Sequence, residues 1–225
     1  MQNFIEAVKL ASFPIHKEGY KFILIFALAT IFLSLLSDSL GLIGLVATLW
    51  CIFFFRDPER IITDVKGAII SPADGVVTSI EENIDSPLEV KLKSKKFNKI
   101  TIFLNVFNVH VNRVPVSGKV EKVIYIPGKF LSANFNEAGE ENERNLVHLK
   151  TEDKKDIIFT QVAGMVARRI VSDLEDGQDV TIGQKYGIIR FGSRMDIYLP
   201  SEIEIIAKKG QTMIGGETII ANQKK

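Results

Sequence analysis

The chain is poor in the side chains that most often hold metals or carry redox chemistry, with one cysteine and three histidines among 225 residues. A lone Cys51 cannot close an intramolecular disulfide, and no His and Cys stand at zinc-ligand spacing, so no metal is expected. An excess of either charge is also missing. Twenty-eight Lys and Arg oppose 27 Asp and Glu, and the pI is near 7.8, which gives no reason to expect a nucleic-acid partner. There is no Gly-x-Ser-x-Gly elbow, no Walker loop and no dinucleotide-binding glycine loop.

What the chain has in excess is uncharged apolar sequence near its start. Phe22 to Leu36 read FILIFALATIFLSLL, Ser37-Asp38-Ser39 interrupts, and Leu40 to Phe55 read LGLIGLVATLWCIFFF. As helix, each run is about 23 Å long, short of a hydrocarbon core of about 30 Å. Two arrangements satisfy that length: a span that recruits flanking residues or thins the bilayer, or a re-entrant wedge in one leaflet. The doubled run is too long for a cleavable signal. Neither half shows the polar stripe of a helix that faces water on one side, which argues against a soluble hairpin. His16, Lys17 and Lys21 precede the pair and Arg56, Arg60 and Lys66 follow it, so both ends are expected on the cytoplasmic side. Asp38 is expected to mark the turn, within reach of water or headgroups. Residues 1–60 are therefore predicted to be a membrane-associated helical hairpin at the cell membrane.

From Gly67 onward the texture changes to short β-branched runs punctuated by Gly, Pro, Asp and Asn. Residues 61–225 are predicted to be a mainly β cytoplasmic domain, sandwich- or barrel-like. AIISPADGVVTSIEE reads as strand, turn, strand. KITIFLN (99–105), GKVEKVIYI (118–126) and DIIFTQV (156–162) read as further strands, and Ser132 to Asn145 as a polar loop. GQDVTIGQKYGII from Gly177 and GQTMIGGETII from Gly210 echo one another, which suits two similar corners in a folded-over sheet. Biotinyl and lipoyl carrier domains use such corners, but the Met-Lys-Met that carries their cofactor is absent.

Several residues are candidates for chemistry. Asp74, before Gly75, is ordinarily a turn former. His110, in LNVFNVHVNRVP, sits in an apolar setting where a satisfied core histidine is common, yet it is the natural proton carrier of this chain. His16, ahead of the hairpin, and His148, after a charged loop, are poorer candidates. Arg168 and Arg169 suit a phosphate or a solvated pair equally. Gly192-Ser193, in FGSRMDIYLP, needs nothing beyond a turn when taken alone.

Taken in order, SPADG, NVHVNRVP, NER, VAGMVARRI and FGSRMDIYLP resemble the phosphatidylserine decarboxylases. The apolar hairpin followed by FFRDP, at Phe54 to Pro58, is similar to their short form, and the resemblance covers essentially the whole chain. It implies a proenzyme that cuts itself between Gly192 and Ser193. Ser193 Oγ would attack the Gly192 carbonyl carbon, where the absence of a Cβ eases approach, assisted by a nearby base. The ester would eliminate to dehydroalanine, tautomerise and lose ammonia, leaving a β chain ending at Gly192 and an α chain beginning with a pyruvoyl group. The lipid's serine amine would form a Schiff base with that ketone, which accepts the electrons left by CO2. Protonation and hydrolysis would then release phosphatidylethanolamine.

The same resemblance assigns Asp74 mainly to self-processing and His110 to protonation during decarboxylation. It also carries a departure, because the longer bacterial form has a second histidine where this chain has Arg113. Either His110 does both jobs, or Asp74 acts without a histidine between it and Ser193. Arg56, Arg60, Arg168 and Arg169 are candidates for the lipid phosphate by charge alone. The implied partners are a phospholipid, the membrane and the chain's own two fragments as a heterodimer, with further dimerisation left open. An ether-linked phosphoserine lipid would suit the same chemistry. The rival from another class is a non-catalytic membrane-anchored β-sandwich that binds lipid or a partner, which would have no reason to break the 192–193 bond.

Overall fold

The computed structural model describes residues 14–63, 65–92, 95–128, 142–164, 169–190 and 193–223. The chain divides into two compact units, Met1–Glu59 and Arg60–Lys225.

In the first unit the apolar runs form helices Gly19–Leu36 (α1) and Asp38–Phe54 (α2). Ser37 alone joins them, in an extended conformation with φ −167° and ψ 142°. Asp38 is thus the first residue of α2 rather than the turn, and its carboxylate meets the positive end of that helix. The 18 and 17 residues correspond to about 27 and 26 Å, longer than the apolar letters alone suggest. The seam between the helices is built of small residues. The Thr30 and Thr48 hydroxyls lie 2.9 Å apart, and a Cβ on Gly44 would stand 3.0 Å from the Thr30 Cα. Leu28, Phe32, Leu42 and Val46 instead lie exposed. Small residues inside and bulky apolar ones outside is how helices pack when hydrocarbon surrounds them. By length and composition, α1 is long and apolar enough to cross a membrane.

The second unit is mainly β. Its strands, in chain order, are Ala68–Ile70 (β1), Gly75–Asp85 (β2), Lys96–Leu104 (β3), Val111–Arg113 (β4), Gly118–Ile126 (β5), Arg144–Lys150 (β6), Asp156–Ala163 (β7), Ile170–Ser172 (β8), Asp179–Val180 (β9), Lys185–Ile189 (β10), Ser193–Pro200 (β11), Glu204–Ile205 (β12), Thr212–Met213 (β13) and Ile219–Asn222 (β14). Eight of them form one sheet in the order β13-β2-β3-β11-β7-β6-β5-β9, and two three-stranded sheets, β1-β14-β12 and β4-β10-β8, complete the unit. The large sheet is curled like half a barrel. The mainly β expectation, with an apolar helix pair ahead of it, holds.

Alternation along β11 decides which side chains meet the core. Met195, Ile197 and Leu199 join the main apolar cluster with Ile100, Ile102, Phe159 and Tyr186. Arg194, Asp196 and Tyr198 face the other way, as a period of two requires. Ser193 shares the phase of Met195 and so belongs to the inner face.

Two sequence expectations change form here. SPADG does separate two strands, but β1 pairs with β14 and β2 with β3 and β13, so the turn is a crossing between sheets and not a hairpin. The echoing segments also cross between sheets. Each has a two-residue strand at an edge of the large sheet and then a strand of a small sheet, with glycines at positive φ in matching places: Gly177 (81°) and Gly183 (78°), Gly210 (85°) and Gly216 (89°). The expected loop at 132–145 lies outside the described residues up to 141, and its last two residues, Arg144 and Asn145, begin β6.

Candidate active site

The site is assembled where three elements end. Strand β11 opens with Ser193, whose register partners are Leu104 at the end of β3 and Ala163 at the end of β7. On the other side of β3 lies the start of β2, where Val76 pairs with Phe103. Asp74 therefore stands at the same end of the sheet as Ser193, two strand spacings or roughly 10 Å away across the sheet. Beyond Leu104 the chain makes a tight turn and reaches His110, whose carbonyl accepts from Ile189 N–H at 3.3 Å. Asp74 and Ser193 stand at one end of the large sheet, and His110 follows the turn that leaves β3 at that end, its carbonyl bonded to Ile189 four residues before Ser193.

The turn before β2 is held from several sides. The Ser71 hydroxyl donates to the Ala73 carbonyl at 2.7 Å, and Arg113 N–H donates to the Pro72 carbonyl at 2.8 Å. Gly75 has φ 151°, and a Cβ there would sit 2.3 Å from the Phe103 carbonyl oxygen, so no other residue fits. Asp74 is clamped by charge and by backbone. Arg60 Nη2 donates to its two oxygens at 3.0 and 2.9 Å, and Gly215 N–H donates to Oδ1 at 2.8 Å. Gly215 can come that close because a Cβ on it would lie only 3.0–3.2 Å from Ala73 and the Asp74 nitrogen.

His110 is fully buried. Its Nδ1 lies 2.9 Å from the Asn108 carbonyl oxygen. A carbonyl only accepts, so this contact places the hydrogen of the neutral ring on Nδ1 and makes Nε2 the nitrogen that exchanges protons. Ser193 is also fully buried, and its Oγ has no hydrogen-bond partner among the described residues. A buried hydroxyl left in that state costs free energy unless it is used. Nearby on the inner face, Gln161 Nε2 donates to Asn112 Oδ1 at 2.9 Å, and Asn145 Nδ2 donates to Gln161 Oε1 at 3.1 Å. Burial pushes the Tyr186 phenol well above its ordinary range, so it stays protonated against Met195 Sδ, 3.9 Å away.

The remaining candidates are placed differently. Arg113, standing where a second histidine is absent, donates from Nη1 to the Gly183 carbonyl at 3.0 Å. Arg169 is exposed, and its carbonyl accepts from Arg190 N–H at 3.4 Å, three residues before Ser193. Arg56 belongs to the first unit, where it lies 3.7 Å from the Phe53 ring centroid. Gly192 and Arg168 lie outside the described residues. His148 pairs with Asp156 at 2.9 Å on the far side of β6. A cavity of about 340 Å³ opens on the outer face, lined by Glu89, Lys99, Arg144, Asp196 and Tyr198 among others. It contains none of Asp74, His110 and Ser193.

Sequence reasoning missed what holds the site. Arg60 was legible only as a positive charge, and nothing local marks Gly215 as a ligand of a carboxylate 141 residues away. The Asn112–Gln161–Asn145 chain was likewise invisible, since its members lie on three separate strands.

Comparison with known proteins gives the family. The family model described as phosphatidylserine decarboxylase matches residues 47–221. The phosphatidylserine decarboxylase proenzymes of Rickettsia felis and Rickettsia akari are each 50% identical to this chain over 208 residues, covering 92% of it and 90% of their own length. That of Rickettsia typhi is 49% identical over the same span. With a family match over most of its length and half of 208 aligned residues identical to those of such relatives, the chain belongs to the phosphatidylserine decarboxylase family.

Proposed function

We propose that this chain is a self-processing enzyme that decarboxylates phosphatidylserine to phosphatidylethanolamine, with Ser193 as the source of its pyruvoyl group. The observation that carries the residue assignment is Ser193 itself: the first residue of a central strand, fully buried, its hydroxyl without a partner among the described residues. In processing, Ser193 Oγ adds to the Gly192 carbonyl carbon and the peptide becomes an ester. Abstraction of the Ser193 α-proton then expels the Gly192 carboxylate, and hydrolysis of the dehydroalanine releases ammonia. Asp74 serves this stage as the proton acceptor, acting across the width of β3 through an intervening group. Arg60 and Gly215 fix the direction of its carboxylate.

The position suits a pyruvoyl group, because it is shielded from water and its main chain is paired on both sides. When present, that group supplies the electron sink for loss of CO2. His110 delivers a proton from Nε2 to the substrate α-carbon, with Nδ1 anchored on Asn108. Arg169, Arg168 and Arg56 are the candidates for the lipid phosphate. The β chain (1–192) and α chain (193–225) stay together as a heterodimer, and the apolar helices hold the catalytic unit at the cytoplasmic face of the cell membrane. Anchoring there confines the search for a lipid to two dimensions.

Intact mass spectrometry of the detergent-solubilised protein tests this proposal. Fragments 1–192 and 193–225, the smaller lighter by one ammonia than plain hydrolysis predicts, are the expected result. A single 25.1 kDa species that persists on incubation, with no CO2 released from phosphatidylserine, would overturn it. Among the arginines, neutralising the true phosphate ligand raises the lipid concentration for half-maximal rate and leaves cleavage intact.

A further inference from the structure

The turn between β3 and His110 exposes an aromatic side chain that folding alone does not require. Phe107 is 62% exposed and Val106 37%. The turn is braced from within. Asn108 N–H donates to the Asn105 carbonyl at 3.0 Å, Phe107 N–H donates to Asn105 Oδ1 at 2.8 Å, and Asn105 N–H donates to Asn108 Oδ1 at 2.9 Å. Both asparagine side chains are spent on backbone, the usual device for a tight, self-contained turn. The carbonyl that holds His110 Nδ1 comes from the same Asn108. The element that fixes the histidine therefore also pushes a phenyl ring into solvent.

The pattern repeats beside Asp74. Ile61, next to Arg60, is 86% exposed, and Ile214, next to Gly215, is 41% exposed. The neighbouring Ile62 packs closely over Gly183, so apolar contact is available nearby and Ile61 is nevertheless turned outward. Single exposed apolar residues are ordinary. Here three of them adjoin the three residues that hold Asp74 and His110, at the end of the sheet where Ser193 begins β11. A soluble substrate gives no reason for an apolar rim at that place, whereas a diacyl lipid does: its headgroup must leave the interface for a buried site while its chains stay in hydrocarbon.

We propose that Phe107, with Ile61 and Ile214, forms a rim that inserts into the lipid bilayer and seats the mouth of the site on the membrane interface. This rests on the assignment of a diacyl phospholipid substrate. The occupant is the bilayer, because the apolar side chains adjoin the catalytic residues themselves and aromatic rings favour the membrane–water interface. The rigid turn suits a wedge, since little conformational freedom remains to be lost on insertion.

Trp50 is the only tryptophan, so the full-length double variant Trp50→Phe, Phe107→Trp carries a single reporter. In vesicles containing phosphatidylserine and lipids brominated along the acyl chain, its fluorescence is expected to be quenched. Leu88, 89% exposed and just past the opposite end of β2, gives the control: Trp50→Phe with Leu88→Trp is expected to stay unquenched. In kinetics, Phe107→Ser is expected to lower the ratio of rates on long-chain vesicles and on monomeric short-chain phosphatidylserine by roughly tenfold. Leu88→Ser should leave that ratio unchanged. Mass spectrometry of each variant confirms that it still cleaves itself. Equal quenching at positions 107 and 88, or an unchanged ratio for Phe107→Ser, would overturn the proposal. If the wild type acts on neither form of the lipid, the substrate assignment fails instead, and quenching still decides whether the rim inserts.

Discussion

Arg60 and Asp74, fourteen residues apart, form an ion pair in which one guanidinium nitrogen reaches both carboxylate oxygens, at 3.0 and 2.9 Å. Both side chains are 15% exposed, so the pair is shielded but not sealed. A planar guanidinium constrains the plane of its partner in a way an ammonium does not. The pair thus ties the first residue of the second unit to the turn before β2, and sets the direction in which Asp74 presents its oxygens.

Arg60→Lys keeps the charge and loses the planar guanidinium. Self-cleavage should slow by about tenfold to a hundredfold, the usual effect of misaiming a catalytic group, while the folded state survives. Time-resolved mass spectrometry of freshly expressed protein measures it. An unchanged cleavage rate would remove Arg60 from the processing machinery.

His110→Gln should separate the two reactions. Loss of a general acid lowers turnover by about 10²–10⁴, so CO2 release falls by that factor while fragments 1–192 and 193–225 still appear. If cleavage stops as well, His110 serves both steps, which is the outcome that Arg113 in the place of a second histidine leaves open.

The two fragments should not separate after cleavage. On the proposed cleavage, strand β11 would belong to the α chain, yet it pairs with β3 on one side and β7 on the other, and Met195, Ile197 and Leu199 are fully buried. Native mass spectrometry is expected to show one particle, and concentrated guanidinium two chains. Separation in plain buffer would mean that β11 leaves the sheet.

Asp156 supplies a pH-dependent part of the stability. Burial opposes its charge, but Lys95 and His148 both hydrogen-bond the carboxylate and hold its pKa below the ordinary 3.8. A depressed folded-state pKa stabilises the protein above the unfolded value, and that contribution disappears as pH falls through the folded value. Asp156→Asn should cost roughly 2 kcal/mol near neutrality, with the difference from wild type vanishing at pH values below the folded-state pKa. Urea melts at pH 7 and in that acid range check both parts. A penalty that persists at the acid end would assign the effect to packing.

The buried amides give a different signature. Gln161→Leu strands Asn112 Oδ1 and Asn145 Nδ2, both within side chains that are 0–3% exposed. An expected loss of about 1–3 kcal/mol follows from leaving buried polar groups without partners. Denaturant melts of Gln161→Leu and of the triple variant Asn112→Leu, Gln161→Leu, Asn145→Leu test this. The triple variant should recover part of the loss if polar satisfaction, and not shape, is what matters.

The letters alone were enough for the helices, the β texture and the order of the motifs. An uncharged run has one low-energy solution whatever surrounds it, and strands 118–126 and 156–162 follow from β-branched residues between breakers. Gly75 could be read as a turn, since its neighbour is an aspartate, but not as the one residue that fits beneath the Phe103 carbonyl. Which sheet each strand joins was not legible. β1 and β2 are separated by four residues and lie in different sheets, because pairing is decided by distant partners such as β14 and not by the turn between them. The same holds for the site. Ser193, His110 and Asp74 could be named from the sequence only through the ordered set of motifs, since each taken alone fits a turn or a core histidine. Arg60 on Asp74, Gly215 beside it and the Asn108 carbonyl on His110 depend on how separate segments meet. Local propensity carries no term for such meetings, so only the assembled tertiary structure could decide them.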